Sequence, residues 1–226
     1  MVNRIVIILF ICLIHFEGAS QVLYYQETCQ CGVTGAGFST AQGNGSGDFS
    51  IFIEPGSTIK KAIFFGVHFG DTNVQIVPAL IQLNSLNLLF SEQNALNINF
   101  NAFGNFYGRN ISLHSIDITN IINPATNNYH ITIPDQGGSC LECQFNCFYL
   151  YVLYENPTFG QNITSYVLLN NQNEAASNQY ELQSLNQLLN SSPIGFATYL
   201  DRLGGFIPAD GSSLFLYNSF GTMLEY

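Results

Sequence analysis

Cysteine carries the most reactive chemistry in this chain. Cys29 and Cys31 form a C-x-C pair, and Cys140, Cys143 and Cys147 form a C-x2-C-x3-C group. Cys12 lies apart from both groups, in an N-terminal apolar run. Thiols of a protein outside the cytoplasm are expected to oxidise. The simplest arrangement brings the early pair against the late group and forms two bridges. One thiol is then left over, free or joined to a second molecule, which gives a route to an oligomer. A thiolate metal site is the alternative, because C-x2-C is also the spacing of zinc knuckles. No histidine lies near either group in the sequence to complete such a site, and no metal or cofactor is expected.

The remaining titratable residues are few. His68, His114 and His130 each fall at an alternating position in a strand-like run, where one of them could act as a general base near Asp117 or Asp135. Asp117, Asp135, Glu142 and Glu155 could supply a carboxylate pair for sugar hydrolysis, but sequence spacing does not set the distance that chemistry needs. No nucleophile elbow, H-E-x-x-H or calcium-loop pattern is present. A satisfied strand histidine is the simpler reading of each imidazole, and no catalytic residue is assigned.

Other motifs bear on surfaces. Asn44, Asn110, Asn162 and Asn190 open N-x-[ST] sequons, which are glycan acceptors in a eukaryotic host and silent in a bacterial one. Gly35-x-Gly37 and Gly43-x-Gly45-x-Gly47 lack the preceding strand, following helix and later acid of a dinucleotide site, so residues 32–48 read as a loop or a weak, irregular strand. The chain has 12 Tyr, 19 Phe and no Trp, so any aromatic contact surface must be built from Tyr and Phe. Tyr149, Tyr151 and Tyr154 share one run. They could form a binding surface, although core packing is the commoner role for such side chains. Alternation places Tyr149 and Tyr151 on one face and Tyr154 on the other.

The elements that must position these residues are short strands. Residues 49–53 stop at Glu54-Pro55-Gly56-Ser57, where Pro sets φ and Gly permits a reversal. Further strands are expected over 59–69, 74–83, 86–90, 96–100, 111–116 leading into 117–122, 129–133 and 163–169. Residues 148–154 are apolar without interruption, the pattern of a central strand buried on both faces. Residues 181–189 have near-helical spacing of Leu and Tyr and fit either a short helix or a strand pair. Two last strands are expected within 213–226. Strands at this spacing predict an all-β antiparallel sandwich, jelly-roll-like in its connections.

The N-terminus supplies an address. Arg4, an apolar run from Ile5 to Ile14 and small residues at Gly18 to Ser20 are the parts of a secretory signal peptide. The apolar core spans about ten residues, and a membrane span needs about twenty. The expected organisation is a signal peptide over 1–20, an N-terminal strand and Gly/Ser-rich loop over 21–48, and a sandwich domain over 49–226. The net charge is −10 and only 9% of residues are charged. Lys60, Lys61, Arg109 and Arg202 are the cations after residue 20, too few for nucleic acid or anionic lipid.

Four segments resemble a family in the same order and at similar spacing. Ile59-Lys-Lys-Ala-Ile-Phe-Phe-Gly-Val-His-Phe-Gly-Asp71 is similar to an "I-x-K-A-x-L-x-W" strand, with Phe65 near the place of the Trp. Asp117-Ile-Thr is similar to a "D-V-T" element. Phe148-Tyr-Leu-Tyr-Val-Leu-Tyr-Glu-Asn-Pro157 is similar to an aromatic strand ending in "Y-E-N/D-P". Gln161-Asn-Ile-Thr-Ser-Tyr-Val167 is similar to an "R-N-I-T-V-Y" strand, followed here by Asn170-Asn171 in place of Asp-Gly. Over about residues 45–170 the chain resembles adhesin-like β-sandwich modules of large secreted surface proteins of the Bacteroidetes kind. The resemblance implies a sandwich and an extracellular or cell-surface setting, and it brings no catalytic residues. The expectation is a secreted, non-enzymatic protein of adhesion, surface assembly or matrix structure, partnered by other surface proteins or polysaccharide. A carbohydrate-binding module is the first alternative and an extracellular hydrolase the second.

Overall fold

Residues Phe145–Glu155 present apolar side chains to both sides of one strand. Phe148, Leu150, Val152 and Tyr154 point one way, and Cys147, Tyr149, Tyr151 and Leu153 the other. Such a strand is stable only when both of its faces are covered. The computed structural model describes residues 22–40, 44–71, 76–96, 109–137, 144–169, 216–217 and 223–224, and it shows both covers in place. Its strands are β1 (Val22–Cys29), β2 (Cys31–Ser39), β3 (Gly45–Ser50), β4 (Thr58–Asp71), β5 (Ala79–Leu83), β6 (Leu86–Phe90), β7 (Arg109–Asp117), β8 (Asn128–Ile133), β9 (Phe145–Glu155), β10 (Ile163–Leu169), β11 (Leu216–Tyr217) and β12 (Met223–Leu224).

The pairing follows one rule. β5 pairs with β6, β4 with β7, β3 with β8, β2 with β9 and β1 with β10, all antiparallel. The chain is thus a long folded ribbon, turned back at Asn84-Ser85 between β5 and β6. Asn84 takes the left-handed conformation at φ 52°, which Asn tolerates better than most residues. Rolling the ribbon brings β4 beside β9 and β5 beside β8. Two four-stranded sheets result, ordered β2-β9-β4-β7 and β3-β8-β5-β6. That is the eight-stranded jelly roll, the all-β sandwich expected from the strand spacing.

The sandwich core lies between these sheets. Phe64 stacks on Phe148 at 5.5 Å between ring centroids, and Phe90 meets both rings edge-on. Gly66 leaves the room for them, because a Cβ there would fall 2.7 Å from the Phe90 ring. Ile81, Leu83, Ile131 and Ile133 close the core from the second sheet. The opposite face of β2-β9-β4-β7 is covered by the β1–β10 ribbon. There Tyr24 packs on Phe65 at 5.6 Å and Tyr25 on Tyr151 at 6.4 Å. The architecture is therefore three layers, with β4 and β9 in the middle one.

Three sequence expectations are corrected. Residues 32–48, read as a loop or an irregular strand, contribute β2 and most of β3, so the sandwich begins at Cys31 instead of Phe49. Their glycines mark close approach of rings: the Tyr154 ring lies over Gly32, and the Tyr149 ring over Gly35. Residues 118–122 form a turn beyond β7 and not a continuing strand. Asp117 starts it by accepting from the Thr119 amide at 3.0 Å, and Ile118 and Ile122 tuck into the core. Finally, Cys29 and Cys31 are joined to each other, with Cα atoms 5.1 Å apart, instead of reaching the late group. The register pairs Cys31 with Glu155 but Cys147 with Ser39, so Cys31 and Cys147 sit at opposite ends of the β2–β9 pairing, roughly 27 Å apart. Cys147 is buried under Val67, and Cys140 and Cys143 lie outside the described residues. So short a ring removes unfolded-chain entropy worth about 1–2 kcal/mol, against ~4–5 kcal/mol for a loop of a hundred residues. The signal segment, residues 97–100, the 181–189 segment and most of 213–226 also lie outside the described residues.

Burial in the middle layer sets an expectation for mutants. Truncating Phe148, fully buried among three rings, should lower stability by about 3–5 kcal/mol in urea unfolding. Phe52→Ala, at a residue 57% exposed, should cost less than ~1 kcal/mol. Equal losses at the two positions would contradict the core placed between the two four-stranded sheets.

Candidate functional site

Both faces of the β2-β9-β4-β7 sheet are covered, which settles the three tyrosines. Tyr151 is 6% exposed and its hydroxyl shares a hydrogen bond with Ser165 of β10 at 2.8 Å. Tyr149 packs partly buried in the same cluster. Tyr154 is 6% exposed, in the sandwich core on the opposite side. Neither set forms the solvent-facing platform considered from sequence. The cause is cover from both sides, by the ribbon on one and by the second sheet on the other.

The histidines separate into a buried pair and one exposed residue. His114 is held by two contacts: Nδ1 donates to the Ser91 carbonyl at 2.8 Å, which leaves Nε2 to accept from the Ser112 hydroxyl at 2.8 Å. His68, 3% exposed, sets its ring edge-on to Phe145 at 4.9 Å, and its Nε2 has no partner among the described residues. Burial, with the neighbouring His114 ring, pushes its pKa down to about 4. Burial lowers His114 as well, against the opposing effect of its hydrogen bond to the Ser91 carbonyl. Both are neutral core residues at ordinary pH and touch no carboxylate among the described residues. His130 is exposed and pairs through Nδ1 with Asp48 at 2.7 Å, not with Asp117 or Asp135.

The carboxylates are also dispersed. Asp117 lies 2.5 Å from the Lys61 ammonium. Burial alone would raise its pKa, but the hydrogen bonds from Lys61 and Thr119 outweigh that and hold it down to about 2. Glu155 pairs with Lys60 at 3.7 Å. Asp135 accepts from the Gly137 amide in its own turn at 3.0 Å. Glu142 lies outside the described residues. Among the described residues no three His, Cys, Asp or Glu converge as metal ligands. Of the sequons, Asn44 and Asn162 are exposed just before β3 and β10, Asn110 lies in β7, and Asn190 lies outside the described residues.

Among the described residues, the outer face of β3-β8-β5-β6 is exposed across all four strands. Alternation along each strand sends Ser46, Asp48 and Ser50 outward from β3, and Asn128, His130 and Thr132 from β8. Leu80 and Gln82 point outward from β5, and Asn87 and Leu89 from β6. The register aligns Ser46, Thr132, Gln82 and Asn87 in one row across all four strands. A second row pairs Asp48 with His130, and a third pairs Ser50 with Asn128, whose side chains bond at 2.8 Å. On the other side of the first row Leu80 lies directly opposite Leu89, and the two are 51% and 52% exposed. None of these ten side chains is Lys or Arg. The face offers hydroxyls, amides and one apolar pair, with a single carboxylate matched to an imidazole.

Apart from His130, weighed as a general base, the sequence did not single out these residues. Their signal was the period-two alternation of ALIQL and NYHITI, but which face stays open depends on which face the β1–β10 ribbon covers. No family model, curated protein or solved structure matches the chain.

The buried imidazoles give a pH dependence with a defined sign. Unfolded histidine binds a proton near pH 6.5, and folded His68 only near 4. The unfolded state therefore takes up protons first. Stability is full above about pH 6.5 and falls as pH drops toward 4. Between pH 7 and pH 5 the wild type should lose about 2 kcal/mol more than His68→Leu in urea titrations. Parallel curves for the two proteins would show that burial does not shift this group.

Proposed function

We propose that this chain is a secreted, non-enzymatic protein of the cell surface or extracellular matrix, and that it acts by adhesion or assembly through the outer face of β3-β8-β5-β6. The observation that carries the reading is the exposed Leu80–Leu89 pair set in a nearly uncharged sheet face. Isolated exposed leucines are ordinary, but two directly opposed on neighbouring strands and bordered by amides make a small contact patch. The charge–apolar–small pattern of residues 1–20 supports export. The scarcity of charge supports a contact made by apolar burial and neutral hydrogen bonds, which salt screens little. The middle layer gives such a face a stiff backing, because β8 and β5 rest on the Phe64–Phe90–Phe148 cluster.

The test uses the cells that make the protein. Antibody to the folded domain should label intact cells or their matrix, and the recovered protein should begin within a few residues of Gln21. Retention should persist in 1 M NaCl. A Leu80→Lys/Leu89→Lys variant, changed only at exposed positions, should pass into the medium. Protein kept inside the cell with Met1 intact, or a variant retained as well as wild type, would overturn the reading.

A further inference from the structure

The row of Ser46, Thr132, Gln82 and Asn87 has a length and a chemistry that narrow what it can hold. Building on the adhesion reading, we propose that this row is a binding site for a neutral polysaccharide strand lying across the sheet, perpendicular to β3, β8, β5 and β6. Four strands at ~4.8 Å spacing make the row roughly 14 Å long, about three linked pyranose rings. Each strand contributes one side chain that can both donate and accept: two hydroxyls, then two amides. A sugar chain offers the same mixed pattern of hydroxyls along its edge. The Leu80–Leu89 pair stands one side-chain step away, beside the Gln82–Asn87 half, and can take the C–H face of a sugar ring out of water. Asp48 and His130 flank the other half, beside Ser46 and Thr132, and are hydrogen-bonded to each other at 2.7 Å.

The same features disfavour other occupants. An anionic polymer needs Lys or Arg, and this face has neither while carrying Asp48. Strand addition needs an open edge, whereas a sheet face has its backbone groups already paired within the sheet. A second copy would have to bury on the order of 800 Å² on each partner, and two leucines supply only a fraction of the apolar core such an interface needs. The proposed contact residues differ from those weighed from sequence. The tyrosines are covered, and neutral hydrogen-bonding side chains take their place.

The test is affinity gel electrophoresis of the full mature chain with soluble neutral polysaccharides: hydroxyethylcellulose, laminarin, galactomannan and arabinoxylan, with alginate as the anionic control. At least one neutral polymer should retard the protein, with less than twofold change in affinity on adding 0.5 M NaCl in a parallel titration. Gln82→Ala/Asn87→Ala should weaken that affinity at least tenfold while its urea midpoint stays at the wild-type value. Ser50→Ala, off the row, should leave it within twofold. Retardation by alginate alone, by no polymer, or equally in wild type and the row variant would overturn the site. So would sedimentation showing a dimer that Leu89→Lys dissociates. If cells hold the protein through Leu80 and Leu89 while every polysaccharide fails, the adhesion reading stands and the polysaccharide assignment falls.

Discussion

Everything in this molecule answers to the need to cover β9 on both faces. The eleven residues from Phe145 to Glu155 place aromatic or aliphatic side chains on both sides of the strand, and eight of the eleven are buried. A two-layer sandwich with this strand in one sheet would leave Tyr149, Tyr151 and Leu153 in water. Burying one large apolar side chain is worth about 1.5–3 kcal/mol, so leaving three exposed would remove a large share of a domain's net stability. The β1–β10 ribbon supplies the missing cover, and β4 shares it through Ile63 and Phe65.

The local chemistry around that ribbon follows from this need. The chain must leave the outer layer at Cys29 and enter the middle sheet at Cys31, and the disulfide between them holds the crossing. Asn156 holds the same corner from the other side. Its amide donates to the Gln30 carbonyl at 2.9 Å, its side-chain nitrogen to the Ser57 hydroxyl at 3.1 Å, and its Oδ1 accepts from the Thr158 amide at 3.0 Å. One buried residue, through its backbone and its side chain, thus ties the β1–β2 turn, the Pro55–Ser57 turn and the end of β9. Covering one face of β2-β9-β4-β7 with the ribbon and the other with β3-β8-β5-β6 leaves the outer side of that second sheet, like the outer side of the ribbon, facing solvent among the described residues. The proposed site falls on that face because the tyrosines are covered.

Much of the fold was legible in the residues. The uninterrupted apolar run at 148–154 named the doubly buried strand, and the alternation of 129–133 named a half-buried one. Residues 163–169 were placed to the residue. Glycine hid the first edge of the sandwich: Gly32 and Gly35 read as loop because their role is to admit the rings of Tyr154 and Tyr149, contacts made more than a hundred residues away. The cysteines misled for a related reason. Grouping and loop-length entropy favoured long bridges, but the register sends Cys31 and Cys147 to opposite ends of one pairing. The open face was the least legible part. Ser46, Thr132, Gln82 and Asn87 are four ordinary polar residues in four segments, and only the nested pairing sets them in one row.

The central claim is that the tyrosine face is covered and the Ser46–Asn87 row lies open. Hydroxyl-radical footprinting of the folded chain tests it most directly, because it reads side-chain exposure residue by residue. Leu80, Leu89 and His130 should oxidise at rates near those of the unfolded chain, while Tyr151, Leu153 and Phe65 should be strongly protected until global unfolding. Tyr151 reacting as fast as Leu89 in folded protein would contradict the three-layer account and the site built on it.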